Sequence, residues 1–531
     1  MPQITYDVFD GGLDVRKSRD SSGANQLPVL TNAYETKGKE IKKRPCLVKI
    51  AELEAGTVGL RSGLGKLNTF YGLGSIVHGD MRFQANFCPH PTNALADVIK
   101  VHALEVFEGY LYAAVEYDDG TIKHYYFDDP GAWAAATAYT VGTFRRPTTV
   151  NGYRYEVTAI AGTGTSAGVE PVWPTTVGAT IVDNAGANQI TWTCRAFSII
   201  DTNCPNTSVI MTSSDHIFCL SNTVMRFCKT ADARNWTFSA GAPTSDAGFK
   251  PVGTQQTGLS RATALAPFQG KIAVFFADGA QIWTSDPNPD NINIDQRIYN
   301  IGTRYPKSPI SVGTDTFFLS DQGIRSITVS TQLLNTQDSD VGSPIDDLLT
   351  PGLVAGIDPF SIFYPGLGQW WWIIGETLWV YAFSRSSRVA AWSKYTFPVT
   401  IDSAAQLDGE LCVRSANSVY RVDKMATNDD GVIPLVEIEL PYQDGKAPGI
   451  LKLIQGCDAL LDGTWSMSLR YDPNDVSKVT SEWPMVKNTT PGSLQPVEMC
   501  AVEVAPRLTH QADEAATLKK LIFYYQNLGP E

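Results

Sequence analysis

One pattern recurs along the chain and constrains its fold more than any other feature. A run rich in Val, Ile, Phe, Tyr or Trp leads into a tight turn of Asp, Gly, Asn or Ser, and a second such run follows. KIAVFFADGAQIWTSD (271–286) and TFFLSDQGIRSIT (316–328) are the clearest copies. HIFCLSNTVMRFCKT (216–230), WWWIIGETLWVYAFS (370–384), ELCVRSANSVYRVD (410–423) and the looser YLYAAVEYDDGTIKHYYFD (110–128) repeat it. Gly, Asn and Asp tolerate positive φ, so these are hairpin turns between strands. Most turn centres are about 40–55 residues apart, the spacing of a four-stranded propeller blade. Shorter stretches such as SPISVG (308–313) read as a blade's first strand. We therefore expect an all-β chain: a β-propeller of about six blades, each burying two apolar faces against its neighbours. A β-sandwich is the alternative. The WWWII run (370–374) fits a strand covered on both faces, as core rather than as a ligand platform.

Composition narrows the function classes. The 531 residues are 43% hydrophobic and 18% charged. No apolar run approaches the ~18 residues of a membrane span. The opening MPQITYDVFDGG has neither a basic nor an apolar leader region, so we expect no signal peptide and assembly in a host cytoplasm. The 9 cysteines form no CxxC pair and read as free, buried, reduced thiols. The 6 histidines show no metal-binding spacing, so we expect no metal and no cofactor. A net charge of −13 argues against tight DNA binding, which needs Lys and Arg to neutralise phosphates.

The first fifty residues leave the repeat. A short strand leads to Gly11, Gly12 and Leu13, followed by LTNAY with Asn32, and then by Lys43-Arg44-Pro45. Locally, Gly11-Gly12 permits a sharp turn, and Pro45 holds Arg44 extended. The basic stretch KEIKKR (39–44) reads as a solvated edge, or as a contact for nucleic acid or an acidic partner. The order and spacing of these elements resemble the tail-nozzle proteins of short-tailed bacteriophages, also called tail tubular protein B or packaged-DNA-stabilisation proteins. The late segment APGILKLIQGCDALLDGTWSMSLRYDPND (447–475) is similar to the sheet that follows the propeller in that family. Two departures are Cys46, where the family usually has Gly, and Pro28 as the nearest Pro after the Gly-Gly motif, where many members carry one soon after it. The resemblance implies a structural virion protein at the tail tip, a homo-oligomer forming a hexameric ring. It implies as partners the tail adaptor ring, tail fibres or tailspikes, and phage DNA passing without sequence specificity. It also implies genome retention before infection and opening for ejection.

A segment of different grammar, 131–197, interrupts the repeat. It resembles the small carbohydrate-binding-like β modules of phage tail and adhesion proteins. Asn151-Gly152 is a hairpin signal. Trp133, Tyr139, Tyr153, Tyr155 and Trp173 are candidates for stacking on a host surface glycan, Trp173 being the one placed most readily at the surface. So small a module also needs aromatics for its own core. The division expected is 1–60 as an N-terminal platform, 61–130 as first blades, 131–197 as the insert, 198–430 as remaining blades and 431–531 as a C-terminal β platform.

Catalysis finds no foothold. The nearest match to a sialidase-type hairpin, Thr230 to Trp236, lacks its Gly and is not repeated, and no carboxylate pair of a glycosidase is identifiable. We assign no catalytic residues. The readings competing with the nozzle are a glycan-binding adhesin of the virion and a propeller-type glycosidase. The Gly/Pro-rich, apolar stretch 342–368 breaks the repeat, so it is the candidate channel or interface loop, with Asp346, Asp347, Pro351, Phe360 and Pro365.

Overall fold

The computed structural model describes residues 2–74, 76, 78–128, 130–149, 151, 153–195, 203–238, 246–255, 261–332, 340–475, 477–486 and 494–530. The fold is all-β and of the β-propeller class: small antiparallel meander sheets follow one another along the chain. All six hairpins read from the sequence are paired strands. Tyr110–Tyr117 pairs with Ile122–Phe127, and His216–Ser221 with Val224–Phe227. Lys271–Phe276 pairs with Gly279–Trp283, and Asp315–Ser320 with Gly323–Ser326. Gln369–Ile374 pairs with Thr377–Ser384, and Glu410–Ser415 with Ser418–Asp423. Positive φ falls at Gly120, Asn222 and Gly375, as the turn chemistry predicts, and also at Ala416, where an alanine takes the left-handed conformation. Ile310–Val312, inside SPISVG, is the first strand of its sheet.

The chain forms two compact units. One comprises Glu52–Gly302 with Ser403–Leu407. Its sheets stack face to face, and the period-two alternation of each central strand shows how. In Tyr110–Tyr117, Leu111, Ala113 and Val115 join a core with Phe70, Cys88 and Tyr125. Tyr112 and Ala114 point the other way, into a core with Ile217, Cys219 and Trp236. The next strand repeats the division, because Phe218 and Leu220 face a third core with Ile272, Val274 and Trp283. A strand buried on both faces has no solvent side, which is why these strands read as continuous apolar runs.

The other unit comprises Met1–Ala51, Thr303–Asp402 and Asp408–Glu531. Here the N- and C-terminal segments join. Thr517–Pro530 lies between Ile450–Asp462 and Ile41–Lys43, and Gln3–Tyr6 pairs with it as well. A second sheet runs from Phe360–Tyr364 through Val389–Thr396 to Val29–Thr31 and on to Val436–Glu439 and Ala505–His510. The WWWII strand lies in it, with Trp371 and Trp372 buried on opposite faces. Every indole N–H of the trio has an acceptor: Ser311 O, Gln369 Oε1 and Ser308 O. All nine cysteines are free thiols, and Cys500, unlike the rest, is exposed.

One inter-sheet core carries a pH signature. His124 is 1% exposed. Its Nδ1 lies 2.8 Å from the Tyr112 hydroxyl and 3.2 Å from the Cys204 Sγ, and its Nε2 lies 2.7 Å from the Thr207 carbonyl. Burial pushes its pKa down to about 4, only partly opposed by the Thr207 carbonyl. Between the unfolded value of ~6.5 and this folded value, the unfolded chain binds the extra proton. The stabilisation is complete above pH 6.5 and is lost as pH falls toward 4, by about 3 kcal/mol. Urea midpoints measured at pH 7 and pH 4.5 should reveal the slope, and His124→Gln should flatten it; an unchanged slope in that variant would refute the assignment.

Candidate functional site

Three of the residues that carried the N-terminal resemblance, Asn32, Lys43 and Arg44, meet at one joint. Asn32 adopts φ 57°, a left-handed conformation that Asn tolerates better than most residues. Its amide nitrogen donates to Thr396 Oγ1 and the Leu435 carbonyl, while its oxygen accepts from the Thr396 amide and from Arg44 Nε. Arg44 is 2% exposed. Its guanidinium makes a two-pronged contact with Asp429, at 2.9 and 2.5 Å, and donates to the Pro45 and Thr396 carbonyls. It also stacks 4.0 Å from the centre of the Phe397 ring. Asp429 accepts in addition from the Leu47 amide. A planar fork of donors suits such a multi-carbonyl, bidentate site where a lysine would not.

Lys43 sits beside this joint. Its ammonium donates to the Ala512 and Glu514 carbonyls and faces His510 Nε2 at 3.3 Å. Burial lowers the pKa of both Lys43 and His510. The C-terminal end of the basic run is taken up internally, since Lys43 and Arg44 are buried; Lys42 is half-buried, and Lys39 pairs with Asp10 at 2.7 Å at the surface. Gly11 and Gly12 are there for close approach. A Cβ on Gly11 would lie 2.6 Å from the Asn25 carbonyl oxygen. One on Gly12, at φ +56°, would lie 2.7 Å from Ala391 Cβ. Leu13 closes the contact in the core. Asp429 was missed by sequence reasoning, because nothing in its local sequence points to a partner so far away.

The insert forms a four-stranded sheet of Phe144–Arg145, Arg154–Ile160, Ile190–Arg195 and Thr180–Asp183. Gly152 and the segment's last two residues lie outside the described residues. Four of the five aromatics proposed as a sugar platform are core. Trp133, Tyr139, Tyr153 and Tyr155 are all buried, in one cluster with Val157, Ile190 and Trp192. A module this small needs most of its aromatic side chains to exclude water from its own core. Asp183, also missed, is its hub: the buried carboxylate accepts from the indoles of Trp133 and Trp192 and from the Ala167 amide. Trp173 is half-buried, with one face 4.2 Å from the Tyr155 ring and its N–H on Glu170.

The stretch 342–368 packs against its own unit. Ile345 and Leu349 are in the core, and Leu353 and Ile357 flank it. Asp346 opens the short helix Asp346–Leu349 and is held by Arg325 at 3.0 and 2.7 Å; Asp347 and Pro351 are exposed. Phe360 is the first residue of a strand and pairs with Ile373, and Pro365 stands in the following turn. The apolar character of this loop is thus explained largely by intramolecular burial.

The sequence matches no known family model and no curated protein. Among solved structures it is similar to BamB from Moraxella catarrhalis, at 8% identity and TM-score 0.32, covering 72% of this chain and 98% of that one. It is also similar to an exo-β-1,3-galactanase from Phanerochaete chrysosporium, at 10% identity and TM-score 0.21, covering 61% and 98%. A third is the WD40 domain of Pan2 from Neurospora crassa, at 9% identity and TM-score 0.26, covering 62% and 90%. Likenesses at this level carry no argument about activity.

Proposed function

We propose that the chain is a structural subunit of a short-tailed bacteriophage virion, forming the ring-shaped tail nozzle that continues the DNA channel. The observation that carries this reading is the ordered set Gly11-Gly12-Leu13, Asn32 and Lys43-Arg44-Pro45. Of these, Asn32, Lys43 and Arg44 hold the joint that knits the N-terminal segment to the 389–396 strand, the 429–435 stretch and the C-terminal strands, while Gly11 and Gly12 allow close backbone approach. A subunit that must bear load without doing chemistry needs such a joint: its polar groups are spent on holding chain segments rather than left free to react. In this reading copies associate head to tail around a closed axis. An adaptor ring binds on one side, fibres or tailspikes attach nearby, and DNA slides past an acidic protein without sequence-specific contact. The location is the tail tip of the virion.

Electron cryo-microscopy of the purified chain, alone and mixed with its adaptor, tests this directly. The expected image is a closed ring with an axial channel. A chain that remains monomeric with the adaptor present would sink the proposal.

A further inference from the structure

The hairpin just after Asn32 contains a carboxylate with no evident role in the joint. Glu35 ends the strand Ala33–Glu35 and is only 2% exposed. Neither of its carboxylate oxygens has a hydrogen-bond partner. A buried carboxylate left unpartnered is costly, and native proteins seldom retain one without reason. Glu35 lines a cavity of about 230 Å³ whose other walls include Leu367, Ala382, Phe383, Ser384 and Val389. We propose that this cavity is a binding site for a guanidinium or ammonium group on a short aliphatic stem, with Glu35 as its anionic partner.

The chemistry of the walls supports that class of ligand. Two unpartnered oxygens on one carboxylate match the two parallel N–H donors of a guanidinium. Leu367, Ala382, Phe383 and Val389 offer apolar contact for the methylene stem. The volume lies below the range of drug-sized pockets, so the occupant is small. The charged groups around Glu35 leave it unneutralised. Lys39, a cation on the same hairpin, is taken by Asp10 at 2.7 Å. Lys37 is exposed at the mouth, and the turn between Ser384 and Val389 carries Arg385 and Arg388, both exposed and solvated. Tyr34 carries the remaining titratable group on the cavity wall, its pKa raised to about 12 by burial. Such a cation could be a free diamine-like molecule or an Arg or Lys side chain of a partner. The site does not depend on the ring reading.

The test is calorimetric titration of the full-length chain with agmatine and with a capped Ala-Arg-Ala peptide, from pH 6 to pH 9. Burial first and then Asp10 push the Glu35 pKa up to about 8, against the pull of Lys39. The cation must bind the ionised form, so affinity should rise roughly a hundredfold across that range and level off above it, with proton release on the rising limb. Tighter binding of the peptide points to a partner side chain, and tighter binding of agmatine to a free small cation; either supports the site. Glu35→Gln should lose at least about tenfold in affinity at pH 9 while keeping its circular dichroism. Ala382→Leu, which narrows the cavity and keeps the carboxylate, should lose it too. Failure of both probes to bind at millimolar concentration overturns the proposal. So does binding that Glu35→Gln retains with the same pH profile.

Discussion

Asp429→Ala is expected to destabilise the unit containing the N- and C-terminal segments by about 3–5 kcal/mol. The reason is what the substitution leaves behind. Arg44 and Asp429 have side chains that are both 1% exposed, so deleting the carboxylate strands a guanidinium away from water. The Leu47 amide loses its acceptor in the same step. Removing both charges with Arg44→Met and Asp429→Leu should recover a large part of the loss, since an apolar pair of similar volume often matches a buried ion pair. Recovery will be incomplete, because Arg44 also donates to Asn32 and to the Pro45 and Thr396 carbonyls. Denaturant midpoints, with hydrogen exchange of amides 29–47 to locate the change, would measure it. A loss below about 1 kcal/mol for Asp429→Ala would mean that water reaches the site and that the joint is not the clamp described.

Trp372→Ala should cost a similar amount, about 3–5 kcal/mol. The side chain is fully buried, 5.5 Å from the Trp392 ring and stacked 6.5 Å from Phe317. Truncation opens a large cavity and leaves the Ser308 carbonyl without its indole donor. Trp173→Ala in the insert is the contrast. That ring is half-buried and its indole N–H is held by the exposed-side carboxylate of Glu170, so its truncation should cost less than half as much. Comparable losses for the two variants would show that exposure in the isolated chain misjudges one of them.

The two tryptophans also mark where reading the sequence works and where it fails. The WWWII run was legible as core because three consecutive large apolar residues in a strand leave no face for solvent. For the insert's aromatics the sequence left core and sugar platform both open. Trp133 and Trp192 face inward because Asp183 holds both indoles. A sugar-binding ring and a core ring have the same letter and the same spacing; only the direction of the side chain separates them. The motif residues Asn32 and Arg44 stood out by their order, yet their task did not, since Asp429 lies 385 residues from Arg44. Glu35 gave no signal at all. Its unpartnered state is a property of what surrounds it.

What the sequence determined by itself, then, was the set of local units. Alternating apolar runs and turns that tolerate positive φ specify hairpins within a dozen or so residues, and their spacing specifies that the sheets repeat. The tertiary structure alone decided how those units are joined. It brought the first fifty residues against the last hundred, chose Asp429 as the counter-charge of Arg44, turned the insert's aromatics inward and left Glu35 buried without a partner. Each of these is a contact between segments far apart in the chain, where burial and charge compensation depend on neighbours that no local pattern encodes.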